Sequence, residues 1–348
     1  MKTSTLRAGV VGVGHIGRNH ARILSELPGV KFAALLDSDP ARAREIASAY
    51  GAEPVADLDA FADRIDAASI ATPTPAHFPI ASALIQRGKH VLIEKPIAEN
   101  ADQARELVAL AARHGVILQV GHIERFNPVL SALEQRLDHP RFIEAHRLSP
   151  YPNRSTEIGV VLDLMIHDLE IILHLVKSPV ASVDAVGIAV LSQREDIANA
   201  RLRFENGCVA NVTASRISPE RMRKLRVFQE NAYLSLDYGA QSGYIFRLAD
   251  AGAIESSLLK KLLAGKDSTI VSEFAGRKIV REPVEIEKGE PLKREIEAFL
   301  KCCAEGAEPA VSGRQATLAL ELAVEITRLI DTHAAAIGRP LPASGSTP

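Results

Sequence analysis

The sequence predicts two folded domains: an α/β domain with a parallel sheet covered by helices on both faces, then an α+β domain built on an antiparallel sheet. Three observations carry this reading. Short apolar runs alternate with longer amphipathic ones from Leu6 to Val120, the rhythm of repeated βα units. After Gly121 that rhythm yields to strand-like segments punctuated by Asn206-Gly207 and Glu230-Asn231, two-residue connections suited to hairpins. The chain length of 348 residues is enough for roughly two cores at about 150 residues each.

Leu6–Gly14 is an apolar run that ends in glycines and reads as the first strand, and His15–Leu27 is the first helix. Lys31–Asp37 is the second strand. A helix over Pro40–Tyr50, a candidate strand at Pro54–Ala56 and a short helix at Leu58–Arg64 follow. Ala67–Ala71, His90–Glu94 and Val116–Val120 are apolar runs of buried-strand length, separated by helices over Ala76–Arg87 and Ala101–His114. Past Gly121 come a helix at Pro128–Arg136, a strand at Arg141–Leu148 and a strongly apolar helix, Gly159–Val176, with polar residues on one stripe. Strands are expected over Ser182–Leu191, Ala198–Glu205 and Cys208–Ser215, the last two joined as a hairpin, and over the hairpin pair Lys224–Gln229 and Ala232–Asp237. Ser256–Lys288 reads as loops and short elements, and helical periodicity returns over Pro291–Glu305 and Gly313–Ala335. The expected domains are residues 1–122 and 123–338, with the C-terminal helices able to pack back on the first domain, and residues 339–348 as a frayed tail.

Composition narrows the function classes. Lys and Arg total 41 against 43 Asp and Glu, a formal charge of −2, so no global basic field gathers nucleic acid or anionic lipid. Cys208, Cys302 and Cys303 form no disulfide framework and suggest reduced thiols in a cytoplasmic protein. Lys2 and Arg7 ahead of an apolar run imitate a signal peptide, but the run is a glycine-punctuated strand soon followed by His15 and Arg18. Ala67–Gln86, the longest stretch without Asp, Glu, Lys or Arg, is interrupted by Pro73, Pro75 and Pro79, so a soluble protein is expected.

Three constellations carry chemistry. Gly12-Val13-Gly14-His15-Ile16-Gly17 lies between the first strand and the first helix: Gly12 for a tight turn, Gly14 for close approach of a pyrophosphate, Gly17 for helix–strand packing. Asp37 ends the second strand twenty residues beyond Gly17, where a carboxylate accepts hydrogen bonds from ribose hydroxyls and repels a 2′-phosphate, favouring NAD over NADP. Asp37 can also be read as a helix cap, although Asp39 is better placed for that, and Arg42 and Arg44 leave NADP open. Glu94-Lys95-Pro96 ends another strand, at the edge where such sheets place ligands; a lysine there is otherwise a solvated surface residue. Asp163 and His167, four apart on the apolar helix, share a face that Glu170 and His174 extend. They read either as a positioning acid and a base or as a structural polar stripe. No further ligand set at a diagnostic spacing accompanies them, so no metal is expected.

With these constellations in this order, the sequence resembles the Gfo/Idh/MocA family of oxidoreductases. The resemblance covers nearly the whole chain, through the glycine turn, Asp37, Thr72-Pro73-Thr74 with His77, Glu94-Lys95-Pro96, the Asp163–His167 pair, and Ile296-Glu297-Ala298-Phe299 within Pro291–Leu320. It implies an N-terminal Rossmann domain and a C-terminal domain with a large open sheet that often mediates oligomerisation. It also implies that Lys95, Asp163 and His167 are catalytic, and that Gly12, Gly14, His15, Ile16, Gly17, Asp37, Thr72, Pro73, Thr74, His77, Glu94 and Lys95 bind the cofactor. One departure stands out: Met165 occupies a position where the family usually has glycine, a change expected to narrow the pocket or alter helix packing.

Gly121-His122-Ile123-Glu124-Arg125-Phe126-Asn127-Pro128 resembles a subgroup that oxidises the 3-hydroxyl of UDP-N-acetylglucosamine before amination to a 3-amino sugar, including for lipid A precursors in some bacteria. Arg125, Arg147, Tyr151, Asn153 and Arg154 are then substrate-binding candidates, guanidinium forks suiting a diphosphate; a polar loop is the plain alternative. The implied reaction is hydride transfer from a sugar hydroxyl to NAD, with a downstream aminotransferase as a possible pathway partner and a homodimer or homotetramer as the assembly. Alternatives are a dehydrogenase of a free polyol such as an inositol, or of another hexose, and an NAD-binding regulator without turnover.

Overall fold

The computed structural model describes residues 5–151, 158–250, 269–274 and 277–338. It divides into two compact units, each discontinuous in sequence. The first comprises the chain up to Phe126 together with Glu290–Glu321, and the second Asn127–Gly289 together with the chain from Leu322.

In the first unit, β1 (Leu6–Val11), β2 (Val30–Leu36), β3 (Glu53–Pro54), β4 (Ala67–Ile70), β5 (His90–Glu94) and β6 (Leu118–Gly121) form a six-stranded sheet in the order β3-β2-β1-β4-β5-β6. Every pairing is parallel. The order reverses direction between β1 and β4, which opens the crevice where sheets of this type hold a nucleotide. Helices α1 (His15–Glu26), α2 (Pro40–Tyr50), α3 (Leu58–Arg64), α4 (His77–Gln86) and α5 (Ala101–His114) connect the strands. All residues of β4 and β6 are buried, as expected of a sheet covered on both faces.

Helix α8 (Pro291–Glu305) completes this core although it lies far along the chain. Its Leu292, Ile296, Phe299 and Leu300 pack in one cluster with Val10, Ile23, Leu24, Leu27, Leu35 and Ile46. The first compact unit runs four residues past the expected boundary at 122 and takes in α8 as well. The 3₁₀ turn Ile123–Phe126 and α8 belong with the first unit, because the apolar stripe of α8 is buried in that core. Helix α9 (Gly313–Ala336) begins in the first unit and ends in the second.

The second unit contains α6 (Pro128–Glu134), α7 (Ile166–Val176) and a nine-stranded sheet. Its strands are β7 (Phe142–Leu148), β8 (Val180–Ile188), β9 (Ile197–Phe204), β10 (Val209–Ser215), β11 (Met222–Phe228), β12 (Ala232–Asp237), β13 (Ser242–Asp250), β14 (Thr269–Phe274) and β15 (Arg277–Pro283). They run in the order β14-β15-β13-β12-β11-β7-β10-β9-β8, antiparallel throughout except for the parallel pair β7 and β10. Both expected hairpins form, β9–β10 across a Gly207 at φ 85° and β11–β12 across Glu230-Asn231.

The stretch Ser256–Lys288, expected as loops and short elements, contributes β14 and β15 where it is described. Charges in Arg277-Lys278-Ile279-Val280-Arg281-Glu282 mask the strand pattern, and the register shifts between Ile270 and Ser272. Residues 339–348, expected to fray, lie outside the described residues.

Side chains alternate across this sheet. Ile143, Ala145, Leu225, Val227, Leu234, Leu236 and Ile245 are buried on one face. On the other, Phe142, Phe228, Tyr233 and Phe246 stand in register as a row across four strands, with neighbouring ring centroids 5.7, 5.0 and 4.2 Å apart. Among the described residues, no helix is long and apolar enough to cross a membrane.

Candidate active site

The glycine turn after β1 is built as a backbone cradle. Gly12 has φ 84°, and a Cβ there would lie 2.8 Å from the Ala71 carbonyl oxygen. A Cβ on Gly17 would lie 1.9 Å from the Gly12 carbonyl oxygen, so α1 can meet the turn only as glycine. Gly14 is the opposite case, with nothing within 4 Å of its would-be Cβ. His15 and Ile16 form the first turn of α1, whose Gly14 cap supplies no side-chain hydrogen bond and whose first turn carries no acid. Its leading amides and the positive end of the helix dipole are left to an anion. Room at Gly14 and an uncapped helix start fit the pyrophosphate of a dinucleotide.

Asp37 organises the same cradle. One carboxylate oxygen accepts from Val13 N at 2.7 Å and the other from Asp39 N at 2.8 Å, pinning the glycine turn to the end of β2. Each oxygen keeps a further lone pair for a ribose hydroxyl. Asp39 performs the capping, accepting from Ala41 N and Arg42 N, and these amides hold its carboxyl below the ordinary range.

Beside β4, Thr72, Pro73 and Thr74 line the turn into α4, and Thr72 Oγ1 is buried with no hydrogen-bond partner among the described residues. The buried His77 faces two backbone oxygens, Nδ1 on Pro96 O and Nε2 on Thr72 O, both at 2.8 Å. Burial pushes its pKa down, opposed by those carbonyls and by Glu94. Both ring nitrogens thus address the protein's own backbone. His77, which the family resemblance assigns to the cofactor, is here a brace between the Thr72 turn and the segment after β5.

That segment presents Lys95, half-buried and joined to Pro96 by a cis peptide bond. The preceding Glu94 is fixed by a residue that sequence reasoning missed. His20, fully buried on α1, contacts Glu94 Oε1 through Nε2 at 3.0 Å and Ser69 Oγ through Nδ1 at 2.6 Å. A carboxylate only accepts, so Nε2 carries the proton, and α1, β4 and β5 are tied together at the ligand edge. The available signal was a polar side chain on the buried stripe of α1 with Ile23 and Leu24. His122, directly after β6, is also buried, and burial together with the Lys95 and Arg125 cations pushes its pKa down to about 3. Arg125 sits in the 3₁₀ turn Ile123–Phe126 that follows and donates to Ala310 O at 3.2 Å.

In the second unit, the Asp163–His167 pair stands where a wide π-helical turn, Val161–Met165, runs into α7. The Ile166 amide reaches back to Val161 O, five residues away. Asp163 and His167 are both half-buried, whereas Met165, Ile166, Asp168 and Leu169 are buried, so the pair shares the more exposed side of the helix. Glu170 is buried, and His174 engages Glu134. Met165 has no exposed surface, so its side chain packs inside the second unit.

Arg147 corrects its sequence reading as a phosphate ligand. It is buried and bidentate to Asp168, through Nε at 2.7 Å and Nη2 at 2.9 Å, and its fork clamps α7 to β7. Tyr151 is half-buried, while Asn153 and Arg154 lie outside the described residues. No group of three or more potential metal ligands occurs among the described residues.

Comparison with known proteins gives a consistent picture. Residues 6–122 match the model of an oxidoreductase family with an NAD-binding Rossmann fold, and residues 132–235 match the GFO/IDH/MocA C-terminal domain. The chain is 36% identical over 303 residues to UDP-N-acetylglucosamine 3-dehydrogenase of Acidithiobacillus ferrooxidans, covering 86% of this chain and 89% of that one. A solved structure of that enzyme superposes with a TM-score of 0.84 at 33% identity, covering 93% and 97% of the two chains. An inositol 2-dehydrogenase of Rhizobium meliloti is 29% identical over 345 residues, covering 94% and 97%.

Proposed function

The chain belongs to the Gfo/Idh/MocA family of oxidoreductases, and from that premise we propose that it is an NAD-dependent dehydrogenase oxidising the 3-hydroxyl of UDP-N-acetylglucosamine. The observation that carries the substrate is the 36% identity, sustained over 86% of the chain, to an enzyme named for that reaction. When bound, the nicotinamide supplies the hydride acceptor. The turn at Gly12–Gly17 holds the pyrophosphate, and the Asp37 carboxylate receives ribose hydroxyls while repelling a 2′-phosphate, which favours NAD over NADP.

His167 takes the proton of the sugar hydroxyl, Lys95 donates a hydrogen bond to the oxygen that becomes a carbonyl, and Asp163 positions the sugar. The aromatic row on the nine-stranded sheet supports assembly of copies of this chain as a homodimer or homotetramer. An aminotransferase is the reaction class that would consume a 3-keto product.

NADH formation from NAD and UDP-N-acetylglucosamine tests this, with UDP-glucose and myo-inositol as controls and an aminotransferase with glutamate to trap an unfavourable ketone. Selective turnover of the N-acetylated nucleotide sugar, abolished by His167→Ala with NADH binding intact, is the expected result. Selective turnover of myo-inositol would instead establish the second reading, a polyol dehydrogenase, which the 29% identity to an inositol 2-dehydrogenase over 94% of this chain favours.

A further inference from the structure

The most heavily buried charges of the second unit lie outside the residues assigned to chemistry. Arg194, Glu195 and Asp196 sit on the connection between β8 and β9, and Arg216 follows β10; Glu195, Asp196 and Arg216 have no exposed surface. Asp196 gathers three backbone amides of its own loop, Val190, Leu191 and Ser192, on one oxygen. Its other oxygen accepts from Ser192 Oγ at 2.7 Å and Arg216 Nε at 2.8 Å. Arg216 donates onward to Ile158 O at 2.7 Å and to Ser192 Oγ at 2.8 Å. Arg194 reaches Asp331 on α9 at 3.2 Å and Glu195 at 3.7 Å. Burying such charges is costly; Asp196 and Arg216 offset the cost by pairing with each other and with the loop backbone, which fixes the loop, while burial pushes the Glu195 carboxyl up.

What the rigid piece touches is the start of the helix bearing Asp163 and His167. Val160 N donates to Glu195 O at 2.9 Å, and Val161 N lies 3.4 Å from Glu195 Oε1. The carboxylate covers Gly159 so closely that a Cβ there would fall 1.8 Å from Oε1. Asp163 N then bonds Gly159 O at 3.1 Å, and the π-helical turn begins at once. The loop therefore caps amides at the helix start and acts as a stop against which Gly159 rests.

We propose that Glu195 is a positioning residue for the Asp163–His167 pair, setting where their helix begins, an inference that rests on the reading of that pair as the reacting groups. Because a displacement near 1 Å at reacting groups costs on the order of 100-fold in rate, a carboxyl one methylene shorter should be felt at His167 although it touches no substrate.

The test compares the full-length wild type with Glu195→Gln, Glu195→Asp and Gly159→Ala. The His167 ring titration is followed by NMR, with NADH affinity, thermal midpoint and turnover of UDP-N-acetylglucosamine measured alongside. Glu195→Asp and Gly159→Ala should shift the His167 midpoint by about half a pH unit or more and lower kcat about 100-fold with NADH affinity unchanged. Glu195→Gln, which keeps the length and the acceptor oxygen, should restore both. A His167 titration unmoved in the folded Asp and Ala variants overturns the proposal, as does loss of NADH affinity in step with kcat. If those two variants fail to fold, Ser192→Ala, which loosens Asp196 and Arg216, replaces them under the same criterion. Absence of wild-type turnover would sink the substrate reading alone, since the His167 titration is read without substrate.

Discussion

Gly14 and Gly17 occupy one turn, yet substitution at each asks a different question. Gly17→Ala places a methyl 1.9 Å from the Gly12 carbonyl oxygen and should lower the thermal midpoint as well as NADH affinity. Gly14→Ala meets none of the protein's own atoms, so it should leave the midpoint unchanged and weaken NADH binding alone, as read by titration of cofactor fluorescence. Arg147 and Asp168 form a second residue-scale test. Asp168→Ala removes both hydrogen bonds of this buried, bidentate ion pair and should destabilise by about 3–5 kcal/mol in urea unfolding. His122 adds a pH signature. Its folded pKa of about 3 lies below the ordinary 6.5, so between those values the unfolded chain binds a proton that the folded chain refuses. Stability should fall as pH drops through that window, and His122→Asn should flatten the slope. Gly12 and Gly17 were legible in sequence because backbone geometry restricts which residues can stand there, and Asp37 because it closes the strand beside that turn. The partners of His20, His77 and Arg147 were not, because spacing along a chain does not say which distant carbonyl or carboxylate a side chain will meet.

Elements were most legible where one local rule governed them. Asn206-Gly207 specified its hairpin through the left-handed glycine, and the apolar runs His90–Glu94 and Ala67–Ile70 could hardly be other than buried strands. β15 escaped because its paired charges, Arg277-Lys278 and Arg281-Glu282, interrupt the period, and the π-helical turn escaped because Gly159–Val176 has unbroken helical patterning. Helix α8 gives the element-scale prediction. Phe299 is buried in the core of the first unit, and Phe299→Ala should cost about 3–5 kcal/mol, seen as earlier unfolding of that unit in denaturant.

At the scale of the molecule, the row Phe142–Phe228–Tyr233–Phe246 is a face that assembly would cover. Light scattering should report a dimer or tetramer, and Phe228→Glu with Tyr233→Glu should give monomers that still bind NADH; a monomeric wild type at working concentration would refute the assembly. The interleaving of the two units also bears on synthesis. While the ribosome makes the 163 residues from Asn127 to Gly289, the first unit must wait without Leu292, Ile296, Phe299 and Leu300. At roughly 5–20 residues per second this interval is about 8–33 s. During it a nascent chain carries a nucleotide cradle on an unfinished core, exposing the apolar surface that α8 later covers. The core of the first unit is therefore complete only once Pro291–Glu305 has been made, after the strands of the second unit.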